Sequence, residues 1–287
     1  MMRIRERRKA NVAGFVCALA LSLMCATTWA ATYYVDPSGS DSNNGTSTST
    51  AWKTLSKVNN TLFSAGDSIL LKRGSTWREQ LIVSSNGTAS SPVTYGAYGS
   101  GDKPALVGSY TVSGWTSIGS NKYTLALASS PEVVVFNGIK GKREASSSAL
   151  DAANDWFWAN GTLTVYASAT PSNVAVTTTQ FLLAVASHAY VTVKDMTVRY
   201  GFYPVLVYNS SNVTVDGLSV YDGAGAAGIY VVGEDASKAD SNIVRNCVVY
   251  GITGSTDILA YGNNGCGIYL YGATASNNTV SGNTVHD

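Results

Sequence analysis

The sequence predicts an all-β solenoid. One phrase recurs four times in the last hundred residues: Val193-Lys-Asp-Met-Thr-Val198, Val215-Asp-Gly-Leu-Ser-Val220, Val244-Arg-Asn-Cys-Val-Val249 and Val280-Ser-Gly-Asn-Thr-Val285. Successive copies stand 22, 29 and 36 residues apart, which describes one coil followed by the same coil with loops added. Only 13% of the 287 residues are charged, glycine numbers 28 and tyrosine 17, and no 3.6-residue periodicity runs through the chain. That composition suits strands joined by tight turns.

Each copy reads as the end of one strand, a two-residue turn and the start of the next. The turns hold Lys194-Asp195, Asp216-Gly217, Arg245-Asn246 and Ser281-Gly282, mostly residue types that tolerate left-handed backbone. Downstream lies a third strand: Val205-Leu-Val207, then Gly228-Ile-Tyr-Val-Val-Gly233, then Gly267-Ile-Tyr-Leu-Tyr-Gly272. Successive side chains on a strand point to opposite faces. Ile229, Val231, Ile268 and Leu270 are therefore expected inside, and Tyr230, Tyr269 and Tyr271 outside.

Residues 1–30 read as a secretory signal peptide. Arg3, Arg5, Arg7, Arg8 and Lys9 precede an apolar run from Val12 to Met24, with a Thr28-Trp-Ala30 exit. The run is too short for a stable membrane anchor, so residues 31–287 are expected to be secreted or periplasmic, without stable membrane insertion. Removal of the leader lowers the formal charge from +1 to about −3, which argues against nucleic acid as a partner. Cys247 and Cys266 survive maturation and lie in adjacent coils. A disulfide is open to an exported protein, but Cys247 shares its slot with Met196, Leu218 and Asn283, which reads as a stacked interior position.

Along the chain, Ala31 to Val35 is a first strand, and Asp36 to Gly45 a turn-rich loop. The stretch Trp52 to Phe63 carries apolar residues at 52, 55 and 58, a one-sided helix placed to cap the solenoid's open end. Ser146 to Ala153 is a second helix candidate. Gly66-Asp-Ser-Ile-Leu-Leu71 gives a turn and a buried strand, and Ser90-Ser-Pro-Val-Thr-Tyr95 begins another. Residues from about 110 to 180 break the rhythm and predict a β-hairpin-rich insertion on the solenoid's side. There Trp156, Phe157 and Trp158 either form the insertion's own core, the favoured reading, or a platform for sugar rings. Asn283-Thr-Val-His-Asp287 stops in mid-coil, which predicts a truncated chain with an incomplete last coil.

Tyr33-Tyr-Val-Asp-Pro-Ser-Gly-Ser-Asp-Ser-Asn-Asn-Gly-Thr46, Trp52-Lys-Thr-Leu55, Gly66-Asp-Ser-Ile-Leu-Leu71 and Tyr98-Gly-Ser-Gly-Asp-Lys-Pro104 resemble the N-terminal coils of secreted right-handed parallel β-helix proteins, the pectate-lyase-like superfamily. With the C-terminal repeats, the resemblance covers nearly all of residues 31–287. It implies one right-handed parallel β-helix domain, a single-stranded solenoid with a short N-terminal capping helix and the inserted hairpins. Lyases, hydrolases, epimerases and proteins of unknown activity share that fold, so the resemblance is specific for architecture and not for reaction.

The outward tyrosines offer ring faces for apolar sugar surfaces and hydroxyls for hydrogen bonds; the plain alternative is β propensity on a solvent face. Long insertions flank them: Tyr221 to Ala227, Tyr250 to Cys266, and Glu234 to Asp240. Two chemistries fit. In a lyase on a uronate polymer, Ca²⁺ held by Glu234, Asp235 and Asp240 neutralises the substrate carboxylate while Lys238 removes the C5 proton. Those acids raise the pKa of Lys238 unless a bound cation offsets them. In a hydrolase, Asp222 and Asp257 from neighbouring coils form the carboxylate pair. Gly-His-Gly, Arg-Ile-Lys and Asp-Pro-His-Asp phrases are absent, as are nucleotide, zinc and serine-elbow motifs. The sequence reading places a polysaccharide lyase first, acting as a monomer on an acidic polysaccharide. A glycoside hydrolase and a non-catalytic, adhesin-like glycan-binding β-helix stay open.

Overall fold

A computed structural model describes residues 30–234, 239–254, 265–272 and 275–286. The recurring valines stand one above another. Val193, Val215, Val244 and Val280 are register partners in one parallel sheet, here sheet A. Val198, Val220, Val249 and Val285 are partners in sheet B, and Leu183, Val205, Ile229 and Ile268 in sheet C. The chain passes from A to B to C and back, so each full coil adds one strand to each sheet. Among the described residues, sheet A has seven strands, from Thr32–Val35 to Thr279–Ser281; sheet B has six, from Thr76–Trp77 to Thr284–Val285; and sheet C has five, from Leu81–Ile82 to Cys266–Tyr271.

The turns explain why the repeat has its form. Asp195, Gly217, Asn246 and Gly282 all adopt positive φ, between 56° and 63°, at the corner from A to B. Asp, Asn and Gly tolerate that conformation best. Behind the corner, Met196, Leu218 and Cys247 are wholly buried in one stack. Asn283 continues it, accepting from the Cys247 amide at 2.8 Å and donating to the Val244 carbonyl at 2.9 Å. Cys247 and Cys266, the two cysteines among the described residues, are free thiols, and the interior reading of Cys247 holds. Each fully buried Val, Leu or Ile contributes about 1.5–3 kcal/mol relative to exposure, and the register repeats that gain coil after coil.

The corner from C to A is held by polar side chains. Asn242 is 2% exposed, donates to the Ser210 carbonyl at 2.9 Å and accepts from the Val213 amide at 2.9 Å. Its own amide donates to Asn278 Oδ1 at 2.8 Å. Buried backbone groups that the sheets leave over are thus satisfied from one coil to the next.

At the N-terminal end, the helix spans only Leu55–Asn59, with Thr54 accepting from the Lys57 amide as N-cap. It is shorter than the predicted 52–63 because Trp52 bridges Val35 as a strand residue and stacks on Tyr33 at 4.9 Å, closing the core. The helix nevertheless performs the capping role. Asn59 donates to the Gln80 carbonyl and accepts from the Ile82 amide, both at 2.9 Å, which satisfies the free edge of the first strand of sheet C. Ser146 to Ala153 yields only a 3-10 turn at Ser147–Ala149, consistent with weak helix propensity in a serine run.

Between sheets B and C of the second full coil, strands from Tyr110–Val112 to Val174–Thr177 build two sheets beside the solenoid, antiparallel except where Lys142–Arg143 pairs in parallel with Asp155–Ala159. Their core contains Phe136, Trp156, Leu163 and Val165. Trp156 is 2% exposed, and Trp158 packs against the same core while donating its indole N–H to the Leu127 carbonyl. These tryptophans are internal packing. The insertion docks through Val133 and Val135 against Tyr200, Phe202 and Ala224.

Replacing Asn242 by Ala strands a buried carbonyl and a buried amide. A loss of about 2 kcal/mol in urea unfolding, with an unchanged slope, is the expected outcome.

Candidate functional site

The outer face of sheet C carries two columns of side chains. Leu206, Tyr230 and Tyr269 are register partners in one, and Tyr208, Val232 and Tyr271 in the other. A hollow of about 210 Å³ lies over them, with Gln180, Phe181 and Tyr203 on one flank and Glu234 on the other. The three tyrosines expected outside are outside. Their rings, however, are engaged with one another: Tyr230 and Tyr269 stack at 5.5 Å and 9°, Tyr203 tilts onto Tyr230 at 5.5 Å, and Tyr271 onto Tyr269 at 5.9 Å. Strands about 4.8 Å apart hold like side chains at stacking distance. The ring faces assigned to sugar are therefore largely used within the row, which leaves ring edges and hydroxyls for a ligand. Burial, with Tyr203, Tyr269 and Glu234 close by, pushes the Tyr230 phenol well above its ordinary pKa, so it is a neutral hydrogen-bonding group.

Glu234 follows the strand Ala227–Val232 at the rim. Its carboxylate accepts from the Tyr208 hydroxyl at 2.7 Å, and its amide donates to Asn209 Oδ1 at 2.9 Å. Asp240 is built into the corner from C to A, where its Oδ1 accepts from both the amide and the hydroxyl of Ser276. The other members of the expected loop site, Asp235 and Lys238, lie outside the described residues, as does Asp257. Among the described residues, no group of three His, Cys, Asp or Glu is arranged to hold a metal.

Asp222 sits at the opposite rim, at the corner from B to C, with a φ of 55° that matches Tyr200 and Gly251 at the same corner of neighbouring coils. Burial raises its pKa, and Lys140 and Arg199 partly offset that. Asp222 and Glu234 flank a six-residue strand, which at 3.3 Å per residue separates them by about 20 Å. A carboxylate pair acting on one glycosidic bond needs roughly 5–9.5 Å. The two do not form such a pair, and any partner of Asp222 belongs on its own rim.

Lys140 is the residue that sequence reasoning missed. It comes from the insertion, and its Nζ donates to the carbonyls of Gly223 and Gly251 at 2.7 Å each, tying the insertion to the B-to-C turns of two adjacent coils. Burial lowers its pKa to about 8, against an opposing pull from Asp222. Nothing near Lys140 in the chain marks it, because its partners lie 83 and 111 residues away. Next to it, a second hollow of about 180 Å³ opens between insertion and solenoid, lined by Glu132, Arg143 and Trp156.

A family model described as the right-handed β-helix region matches residues 158–287, and the three parallel sheets extend the same winding to the N-terminal coils. The fold is a right-handed parallel β-helix. Over 82 residues, the β-helix is 43% identical to the lacto-N-biosidase of Bifidobacterium longum subsp. longum, a match covering 26% of this chain and 5% of that protein. The structure of XylC with xylose superimposes with a TM-score of 0.60 at 15% identity, over 89% of this chain and 58% of that one. A rhamnogalacturonan lyase gives a TM-score of 0.49 at 16% identity, over 89% and 51%. The β-helix thus spans 58% of the XylC chain and a small part of the biosidase.

The depressed pKa of Lys140 fixes a sign for pH dependence. Its folded pKa, about 8, lies below the unfolded value, so between about pH 8 and 10.5 the unfolded chain binds the extra proton. Stability should rise through that window by about 3 kcal/mol relative to Lys140→Met. Paired urea titrations of the two proteins test this; parallel pH profiles would contradict it.

Proposed function

We propose that the β-helix is the glycan-binding body of a carbohydrate-active enzyme that seats a neutral saccharide on the outer face of sheet C and hydrolyses it at the B-to-C rim. The observation that carries this reading is the lining of the hollow. Its described residues are aromatic or apolar, with one amide, Gln180, one carboxylate, Glu234, and no cation among them. A uronate chain laid there would bring its carboxylates toward Glu234 without a described counter-charge, whereas a neutral sugar meets hydrogen-bonding edges and hydroxyls. XylC was solved with xylose, a neutral sugar, and supports the same choice.

In this mechanism Asp222 is the general acid, because burial shifts its pKa in the direction a proton donor to the leaving oxygen needs. Asp257, from the B-to-C loop of the next coil, is the second carboxylate, serving as base or nucleophile. Lys140 positions the turns that carry this rim without touching substrate. The leader-like residues 1–30 support a site of action outside the cytoplasm.

A second reading, β-elimination on a uronate polymer, rests on a different feature. Glu234 leads directly from the rim of the hollow into the loop that carries Asp235, Lys238 and Asp240, the set expected for Ca²⁺ and a base.

The two readings separate on products. With neutral oligosaccharides the full-length protein is expected to release new reducing ends, with no ultraviolet-absorbing double bond and no sensitivity to chelation. Asp222→Asn should lower kcat by about 100-fold or more with little change in KM, and Tyr230→Ala should weaken saccharide binding by about 10-fold. Unsaturated products from uronate polymers, abolished by chelator, would replace hydrolysis with elimination. Binding without any cleavage would leave the β-helix a glycan-binding body only.

A further inference from the structure

The outer face of sheet B carries a second row that the sheet C site does not use. Arg199, Tyr221 and Tyr250 are register partners on successive coils, and His286 continues the column. Tyr221 and Tyr250 stack at 4.8 Å and 6°, and Tyr250 and His286 at 4.9 Å and 4°. The Arg199 guanidinium closes the row, 5.8 Å from the ring centre of Tyr221 and 5.1 Å from that of Tyr200. Beside the row lies the largest of the three hollows described, about 520 Å³ and open to solvent, with Thr197 and Ser219 on its floor and Asp102 and Lys103 at its edge.

The charges in this hollow are incompletely matched. Arg199 makes no ion pair among the described residues. Asp222 exerts an electrostatic pull on it, the Tyr221 hydroxyl stands 3.5 Å from Nη1, and its Nε is buried without a hydrogen-bond partner. Lys103 is held against the floor, donating to the Gly217 carbonyl at 2.7 Å and to the Ser219 hydroxyl at 3.1 Å. Of the charged side chains that line the hollow, two are cations, Arg199 and Lys103, and one is a carboxylate, Asp102, while hydroxyls of Ser, Thr and Tyr make up most of the remaining lining. A guanidinium oriented by two rings is suited to accept a planar carboxylate through paired hydrogen bonds. The stacked rings add a polar group at nearly the same interval along the helix axis, positioned for the hydroxyls of successive sugar residues.

We propose that this hollow on sheet B is a second saccharide site, selective for a uronate-bearing glycan whose carboxylate is received by Arg199. It stands on a different face from the sheet C hollow and borders the B-to-C rim, where Asp222 pulls on Arg199, so one chain can hold an acidic portion of a polysaccharide beside the rim that the proposed hydrolysis uses.

Calorimetric titration of the full-length protein with a uronate oligosaccharide, and with the same oligosaccharide after reduction of its carboxyl groups, tests the assignment. The acidic ligand should bind at least about 10-fold more tightly than its reduced form, and Arg199→Gln should weaken it by about 10- to 100-fold. The pair Tyr221→Phe and Tyr250→Phe keeps the stack and removes only hydroxyls, so it should weaken binding several-fold with an unaltered circular dichroism spectrum. That pair decides the matter if Arg199→Gln fails to fold. Tyr230→Ala should leave the acidic ligand unaffected. Equal affinity for the two ligands, no binding of the acidic one, indifference to both sets of sheet B substitutions, or loss with Tyr230→Ala would each overturn the proposal.

Discussion

Each coil is held in place by like side chains in register on the coil beneath it. Val193, Val215 and Val244 repeat that contact in sheet A, Val198, Val220 and Val249 in sheet B, and Val205 and Ile229 in sheet C. Chain length inside a coil is fixed by this stacking, so additional residues can leave only at corners. The large insertion departs between B and C of one coil, and the later B-to-C and C-to-A corners carry the loops that rim sheet C. The same rule acts on the outside. Strand spacing that stacks valines within also stacks Tyr230 on Tyr269, and Tyr221 on Tyr250 and His286, without. Core and surface rows are two consequences of one register.

That common origin constrains what the aromatic rows can do. A tyrosine packed between two neighbours has little ring face left for a sugar, so recognition falls to edges, hydroxyls and the groups at the ends of the rows. On sheet C the rim group is Glu234, held by the Tyr208 hydroxyl; on sheet B the end group is Arg199. Opposite charges at these two places give the faces opposite electrostatic character although their aromatic content is alike. The strand Ala227–Val232 also keeps Asp222 and Glu234 too far apart to act on one glycosidic bond.

Much of the scaffold was legible because it is written locally. Two apolar residues five apart, with Asp, Asn or Gly at a fixed place between them, specify a strand, a left-handed corner and a strand within six residues. The alternation Ile229, Tyr230, Val231 likewise declared its own faces. What could not be read was whatever depends on the neighbouring coil or on the insertion: the stacking that occupies the ring faces, and Lys140 reaching the Gly223 and Gly251 carbonyls. The amphipathic pattern points to a helix longer than Leu55–Asn59, because Trp52 fits that pattern as well as it fits a strand end. The sheet B row did have a signal in the sequence. Arg199, Tyr221, Tyr250 and His286 each follow the final valine of a repeat, a position that alternation sends outward.

In the proposed reading, saccharide occupies the outer face of sheet C while the interior ladders remain undisturbed. Hydrogen–deuterium exchange of the full-length protein with and without a neutral oligosaccharide tests it most directly. Protection is predicted in Tyr203–Tyr208, Ala227–Val232 and Cys266–Tyr271 and at the adjoining B-to-C turns, with sheet A strands unchanged. Protection confined to the insertion or to sheet A, with sheet C exchanging as in the free protein, would contradict it.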